Sequence, residues 1–192
     1  LIHTSNLFGI DWQERAGEAL CVAAEMDSVF FANSGAEANE AALKMARLYA
    51  YNKGFKRPKV IVMEQSFHGR TLLSLSATAN PKAREGFFTL DEDFIRLPFG
   101  DIEAIKQAAI DHDDICAIFV EPIQGEGGLN TADNGFDYLE ELQAVCDAQD
   151  WLFMIDEVQT GNGRTGKYFA FQHSQARPDV LTTAKGLGNG FP

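Results

Sequence analysis

Ile115-Cys116-Ala117-Ile118-Phe119-Val120 is apolar at every position, and the chain then breaks into Glu121-Pro122-Ile123-Gln124-Gly125-Glu126-Gly127-Gly128. A strand apolar on both alternations must be covered on both faces, which is the signature of a parallel sheet. Runs of the same kind recur at Lys59-Val60-Ile61-Val62-Met63, at Trp151-Leu152-Phe153-Met154-Ile155 and, shorter, at Val180-Leu181-Thr182-Thr183. Ser28-Val29-Phe30-Phe31-Ala32 reads as a further strand ahead of them. Between these runs the period turns helical. Ala16, Leu20 and Ala23/Ala24 mark a helix over residues 10–24, and an Ala-rich stretch marks another over 35–50. Ile102, Ile105 and Ala109 follow Asp101, a good N-cap, and Phe136, Leu139, Leu142 and Cys146 form one more stripe. Strands alternating with helices predict one α/β domain over residues 1–192, a mostly parallel sheet with helices on both faces.

Composition narrows the class. The 192 residues carry 16 Lys+Arg against 28 Asp+Glu, a formal charge of −12, which disfavours a phosphate-backbone footprint and hence nucleic acid. A hydrophobic content of 45% with 17 Gly and 6 Pro excludes a disordered, collagen-like or disulfide-stapled chain. No apolar run reaches membrane-spanning length and no signal peptide opens the sequence, so a cytoplasmic protein is expected. Cys21, Cys116 and Cys146 are odd in number and lack C-x-x-C spacing, so they read as buried thiols in a reducing compartment. His3, His112 and His173 have no partners at metal-ligand spacing, and no metal site is predicted. The chain opens on Leu1 and stops at Gly190-Phe191-Pro192 after a glycine-rich stretch, so a fragment of something longer is expected.

In parallel α/β sheets ligands bind beyond the carboxyl ends of the strands. The residues that follow each run are polar and glycine-rich: Asn33-Ser34-Gly35-Ala36-Glu37, Ser66-Phe67-His68-Gly69-Arg70-Thr71, Glu121 to Gly128, Asp156-Glu157-Val158-Gln159 and Ala184-Lys185-Gly186-Leu187-Gly188. Ser34-Gly35-Ala36 opens a helix, where backbone N–H groups can cradle a phosphate; Ser34-x-x-Glu37 is equally a capping box that needs no ligand. Asp156 ends an apolar strand and suits a partner that must stay protonated, although acids at strand ends are commonly just solvated. Lys185 follows a strand on the same edge, where an amine can form a Schiff base, against the ordinary reading of a surface lysine. Phe67 is either a core plug or a plate for a planar ring, Arg70 either a carboxylate fork or a solvated helix start, and His68 an acid–base group or a hydrogen-bonded loop residue. Gly161-Asn162-Gly163-Arg164-Thr165-Gly166-Lys167 imitates nucleotide-binding patterns. Tyr168 stands where a P-loop needs Ser or Thr and no long amphipathic helix follows, so nucleotide binding is only a runner-up.

Five ordered stretches, Asn33 to Lys44, Phe67 to Thr71, Glu121 to Gly128, Asp156 to Gly161 and Thr183 to Lys185, together resemble the class III aminotransferases across essentially the whole chain. Within that family they look most like the branch acting on acetylated ornithine, as does His3-Thr4-Ser5-Asn6-Leu7-Phe8. The resemblance implies a pyridoxal-phosphate enzyme with a fold-type-I large domain, a homodimer in arginine biosynthesis that moves the side-chain amino group of N-acetylornithine to 2-oxoglutarate. It implies that Ser34, Gly35 and Ala36 hold the cofactor phosphate and that Phe67 and His68 lie at the cofactor, Phe67 stacked on its ring. Asp156 would pair with the ring nitrogen, Val158 would pack behind the ring and Gln159 would meet its phenolic oxygen. Lys185 would carry the Schiff base and shuttle the proton. Arg70 would clamp the substrate carboxylate, and Glu126 resembles the glutamate that covers a second arginine. The neighbouring subunit's phosphate-binding Ser/Thr pair and the small C-terminal domain with its carboxylate-binding arginine have no counterpart in residues 1–192. Succinylornithine, ornithine and 4-aminobutyrate transaminases share much of the pattern, and a non-catalytic binding fragment is the alternative of a different class.

Overall fold

The computed structural model describes residues 4, 5 and 7–191, so His3 and Asn6 of the stretch 3–8 lie outside the described residues. It divides into two compact units, residues 1–31 and 32–192. In the first, α1 (Asp11–Ala24) carries Asp11 and Glu14 in its first turn, where the helix dipole favours negative charge. Glu25 closes it in the left-handed region at φ 56°, its N–H bonded to the Cys21 and Val22 carbonyls. The strand expected over residues 28–32 does not form. These residues are exposed, with Phe30 at 71%, and none of them joins a ladder. The alternation is real but serves another purpose: Val29 and Phe31 both approach Gly17 of α1, where a Cβ would stand 3.0 Å from Val29 Cγ1. Apolar β-branched and aromatic residues fit any half-buried surface, and here that surface is a helix.

The second unit is built on a five-stranded, all-parallel sheet in the order β2-β1-β3-β4-β5. β1 (Lys59–Met63) and β3 (Ile115–Val120) lie where the apolar runs place them, while β4 (Leu152–Asp156) is shifted by one residue so that Asp156 belongs to the strand. β5 (Val180–Thr182) forms one edge. The other edge, β2 (Phe94–Leu97), was not foreseen: it is short, contains Arg96 and follows the acidic turn Asp91–Asp93, so it shows no strand-like run.

Both faces of the sheet are covered. α2 (Gly35–Asn52) lays Ala42, Leu43, Ala46 and Ala50 on Val60, Val62, Ala117, Phe119 and Met154, its alanines allowing close approach. α6 (Asp137–Gln149) buries Tyr138, Leu139, Leu142 and Cys146, and the Tyr138 hydroxyl lies 3.6 Å from Met63 Sδ, the neighbour of Val62 on the opposite alternation. α5 (Ile102–Asp111) starts at the expected cap, Asp101 accepting from Ala104 N at 2.9 Å. Two short helices, α3 (Leu72–Ala77) and α4 (Pro81–Arg84), follow β1. Cys116 and Cys146 are buried, but Cys21 on α1 is only half-buried. Among the described residues no helix is long and apolar enough to cross a membrane.

Candidate active site

Parallel register brings the strand ends onto one edge. Met63 pairs with Leu97, Val120 with Ile155 and Asp156 with Thr182, so Glu121, Asp156 and the residues after Thr182 leave the sheet side by side. The chain runs from β1 outward to β2 on one side and then returns past β1 to β3 on the other, and a reversal of this kind opens a crevice at the strand ends.

α2 starts at this edge. Ser34 is its N-cap, extended at φ −156°, with Oγ accepting from Glu37 N at 3.2 Å. The capping-box expectation holds only in half: the Glu37 carboxylate accepts from Asn33 N at 2.7 Å rather than from Ser34 N. Ala38 N is the first to bond back, to Ser34 O, so the N–H groups of Gly35 and Ala36 precede the helix ladder and remain available. Gly35 sits at a close approach, where a Cβ would stand 2.8 and 2.9 Å from the two Val158 methyls and 3.3 Å from Ala184 Cβ. That contact joins the starts of three segments: α2, the turn after β4, and the residue before Lys185.

Asp156 is the centre of the edge. It is 4% exposed, and three donors converge on it. Oδ2 accepts from Asn39 Nδ2 at 2.7 Å and lies 2.8 Å from His68 Nδ1; Oδ1 accepts from Val158 N at 3.0 Å. The His68 ring is buried, stacked on Phe119 at 4.3 Å between centroids, and its Nε2 has no partner among the described residues. In the neutral ring this assigns the hydrogen to Nδ1, facing Asp156, and leaves the lone pair on Nε2. His68 therefore acts on this edge through Asp156.

Phe67 is half-buried, its N–H donating to Glu121 Oε2 at 3.1 Å. Burial, and next the charge of Asp156, push the Glu121 carboxyl well above its ordinary range against the opposing effects of the Phe67 N–H and Lys185. Gln159 donates to Glu126 Oε1 at 3.2 Å, and a Cβ added at Gly125 would displace its side-chain oxygen. Arg70 is exposed, directly ahead of Thr71 at the start of α3, and no hydrogen bond or ion pair engages its guanidinium among the described residues. Lys185 is exposed too and begins a short turn to Leu187 at φ 44°, in the left-handed region.

The structure thus brings Ser34, Gly35, Ala36, Phe67, His68, Asp156, Val158, Gln159, Glu126 and Lys185 to one edge of one unit. Three contributors carried no role in the sequence reading. Asn39 is buried on the inward stripe of α2, where the other members are apolar, and a polar residue on such a stripe signals a buried partner. Glu121 extends an apolar strand by one acid, the same pattern that marked Asp156. Asn162, inside the nucleotide-like glycine stretch, donates to Thr183 Oγ1 at 3.1 Å and Ala184 O at 3.0 Å. That stretch is accordingly a strap on the segment ahead of Lys185, and no long helix follows it.

The arrangement offers an anion cradle at a helix start, a buried carboxylate and an amine. The class III aminotransferase family model matches residues 1–192, and the chain belongs to that family. It is 52% identical over 192 residues to the acetylornithine aminotransferase of Nitrosomonas europaea, covering all of this chain and 48% of that protein. Among solved structures, the ornithine aminotransferase of Toxoplasma gondii, described with partial pyridoxal phosphate occupancy at its active site, matches with a TM-score of 0.91 at 35% identity, over 98% of this chain and 45% of that one. The N-acetylornithine aminotransferase of Stenotrophomonas maltophilia matches with a TM-score of 0.82 at 36% identity, over 99% of this chain and 46% of that one. The chain spans about half the length of the relatives it matches.

Proposed function

We propose that this chain forms the cofactor-binding part of a pyridoxal-phosphate-dependent aminotransferase that transfers the side-chain amino group of N-acetylornithine to 2-oxoglutarate. One observation carries the reading: Asp156, Lys185 and the free N–H groups of Gly35 and Ala36 meet on the sheet edge where the strand order reverses. The residues fit the cofactor. A helix start that admits no side chain at Gly35 suits a phosphate. Asp156 has four acceptor positions, three of them filled from within the chain by Asn39, His68 and Val158, so one position is left for a protonated ring nitrogen. Bound there, the cofactor supplies the electron sink for the reaction.

In this reading the chain's own groups hold, orient and move a proton. Ser34, Gly35 and Ala36 hold the phosphate; Phe67 and Val158 sandwich the ring; Gln159 meets the phenolic oxygen. The Lys185 amine anchors the cofactor and carries the proton to and from the substrate carbon. Arg70, whose exposed guanidinium meets no partner among the described residues, is the fork for the donor's carboxylate, and Glu126, held by Gln159, is the group that would cover a second arginine. The relatives' names favour acetylornithine over ornithine, succinylornithine or 4-aminobutyrate as donor. A cytoplasmic homodimer completes the proposal.

Borohydride reduction of the full-length protein loaded with pyridoxal phosphate, followed by peptide mapping, tests it. The pyridoxyl group is expected on Lys185, and kcat/KM in a donor panel should peak with N-acetylornithine. Label on another lysine, or none, refutes the site; a peak with another donor refutes the substrate alone.

A further inference from the structure

Asn39 lies one helical turn after Gly35 and is 2% exposed. Its side-chain nitrogen donates twice, to His68 O at 2.7 Å and to Asp156 Oδ2 at 2.7 Å. Both partners are acceptors, which fixes the orientation of the amide: the nitrogen faces them, and Oδ1 is left buried with no partner among the described residues. A leucine or alanine would fill this place on an apolar stripe without an unpaired acceptor, so the amide is explained by what its nitrogen holds.

What it holds is the relation between two segments that meet only at the site. One is the backbone just after Phe67; the other is the Asp156 side chain. His68 reaches the same carboxylate oxygen from its ring at 2.8 Å. With two donors on Oδ2 that atom is saturated, and the carboxylate cannot rotate about its χ2 without breaking both bonds. Oδ1, bonded to Val158 N alone, keeps one free acceptor position.

We infer that Asn39 is a positioning residue: by bridging His68 O and Asp156 Oδ2 it locks the carboxylate so that Oδ1 meets the cofactor's ring nitrogen, and it sets the Phe67–His68 segment at a fixed distance from it. The inference rests on the cofactor-binding reading above. Removing Asn39 frees both the carboxylate and the loop. An aspartate of nearly the same shape is worse, because it places a second negative charge 2.7 Å from the first where a donor stood.

The test uses full-length protein as Asn39→Ala and Asn39→Asp beside the unsubstituted chain. Pyridoxal phosphate is titrated into each apoprotein by fluorescence quenching, and the visible absorption band of each loaded form is recorded with kcat and donor KM. The expected result is a Kd raised about 10-fold or more for Asn39→Ala and about 100-fold or more for Asn39→Asp, with a displaced band. kcat falls while donor KM stays, because the hydrogen bonds Asn39 makes among the described residues run to His68 and Asp156. A merely structural role would lower the melting temperature of the apoproteins and leave Kd and the band unchanged; that outcome overturns the inference, as does an Asn39→Asp variant that matches the unsubstituted chain. Should Asn39→Ala fail to fold, the nearly isosteric Asn39→Asp decides. An unsubstituted protein that binds no cofactor at Lys185 overturns the functional reading and this inference with it, whereas normal binding in all three overturns this inference alone.

Discussion

Gly35→Ala puts the phosphate cradle to its sharpest test, because the added atom is small and its collision is known. The new Cβ would stand 2.8 Å from Val158 Cγ1, and apolar contact starts near ~3.5 Å, so the start of α2 must retreat by roughly 0.7 Å (3.5 − 2.8). An N–H···O bond of about 2.9 Å lengthened by roughly that much reaches about 3.6 Å, outside hydrogen-bond range. Each of the Gly35 and Ala36 donors lost to a charged phosphate is worth about 1.5–3 kcal/mol, so the Kd for pyridoxal phosphate should rise on the order of 10- to 150-fold per donor. Stability responds differently: alanine is the better helix former by up to about 1 kcal/mol, which offsets part of the overpacking cost. Titrating apoprotein with the cofactor reads the affinity, and Val158→Ala supplies the control, since it deletes both colliding methyls. In that background Gly35→Ala should cost far less. An unchanged Kd in the single variant, or an equal loss in both backgrounds, would refute a cradle built on close approach.

Other perturbations separate the remaining roles. Asp156→Asn should keep the far-ultraviolet circular dichroism and lose on the order of 100-fold or more in transamination, as removal of a charge-stabilising contact does; near-normal turnover would dismiss its partnership with the ring nitrogen. Arg70→Ala should lower kcat/KM for N-acetylornithine about 10- to 200-fold through KM, with cofactor affinity intact, and Arg70→Lys should recover only part of it because an ammonium lacks the planar fork. Unchanged donor kinetics in both would make Arg70 a plain helix-start residue. The raised Glu121 carboxyl gives a pH signature: the folded chain keeps a proton that the unfolded chain releases above the ordinary value of 4.5, so stability falls as pH climbs from there toward the folded value. Glu121→Gln cannot ionise and still offers an oxygen to Phe67 N–H, so its urea midpoint should gain steadily on that of the unsubstituted protein as pH rises; parallel midpoints would mean that the buried acid costs nothing.

The sheet was legible where one strand carries its own evidence. Six apolar residues in β3 and four in β1 can be buried only between two helical layers, and both strands lie where their runs end. Residues 28–32 carry equally strong β character and form no strand, because propensity describes a surface that fits side chains and not the partner that supplies it; α1 supplies it instead through Gly17. β2 failed in the opposite sense. An edge strand of four residues with Arg96 in it is defined by pairing to β1, and nothing within the segment announces that pairing.

The candidate site divides along the same line. Glycines after a cap, an acid ending a strand and a lysine after the last strand can each be seen alone, but whether they meet is a matter of register. Asp156 pairs with Thr182, which sets Lys185 three residues beyond the carboxylate's own partner, and a slip of one residue would turn Asp156 to the other face of the sheet. The Asn162 strap adds a second constraint on that spacing by holding Thr183 and Ala184 from outside the sheet. Asn39 could not have been assigned from spacing at all, because its two acceptors lie 29 and 117 residues away and are brought together only when α2 packs across β3, β4 and β5. The residues that do chemistry by themselves leave local traces in a sequence. Those that act by fixing the distance between two others do not, and in this fold they have to be sought where a polar side chain interrupts an apolar stripe.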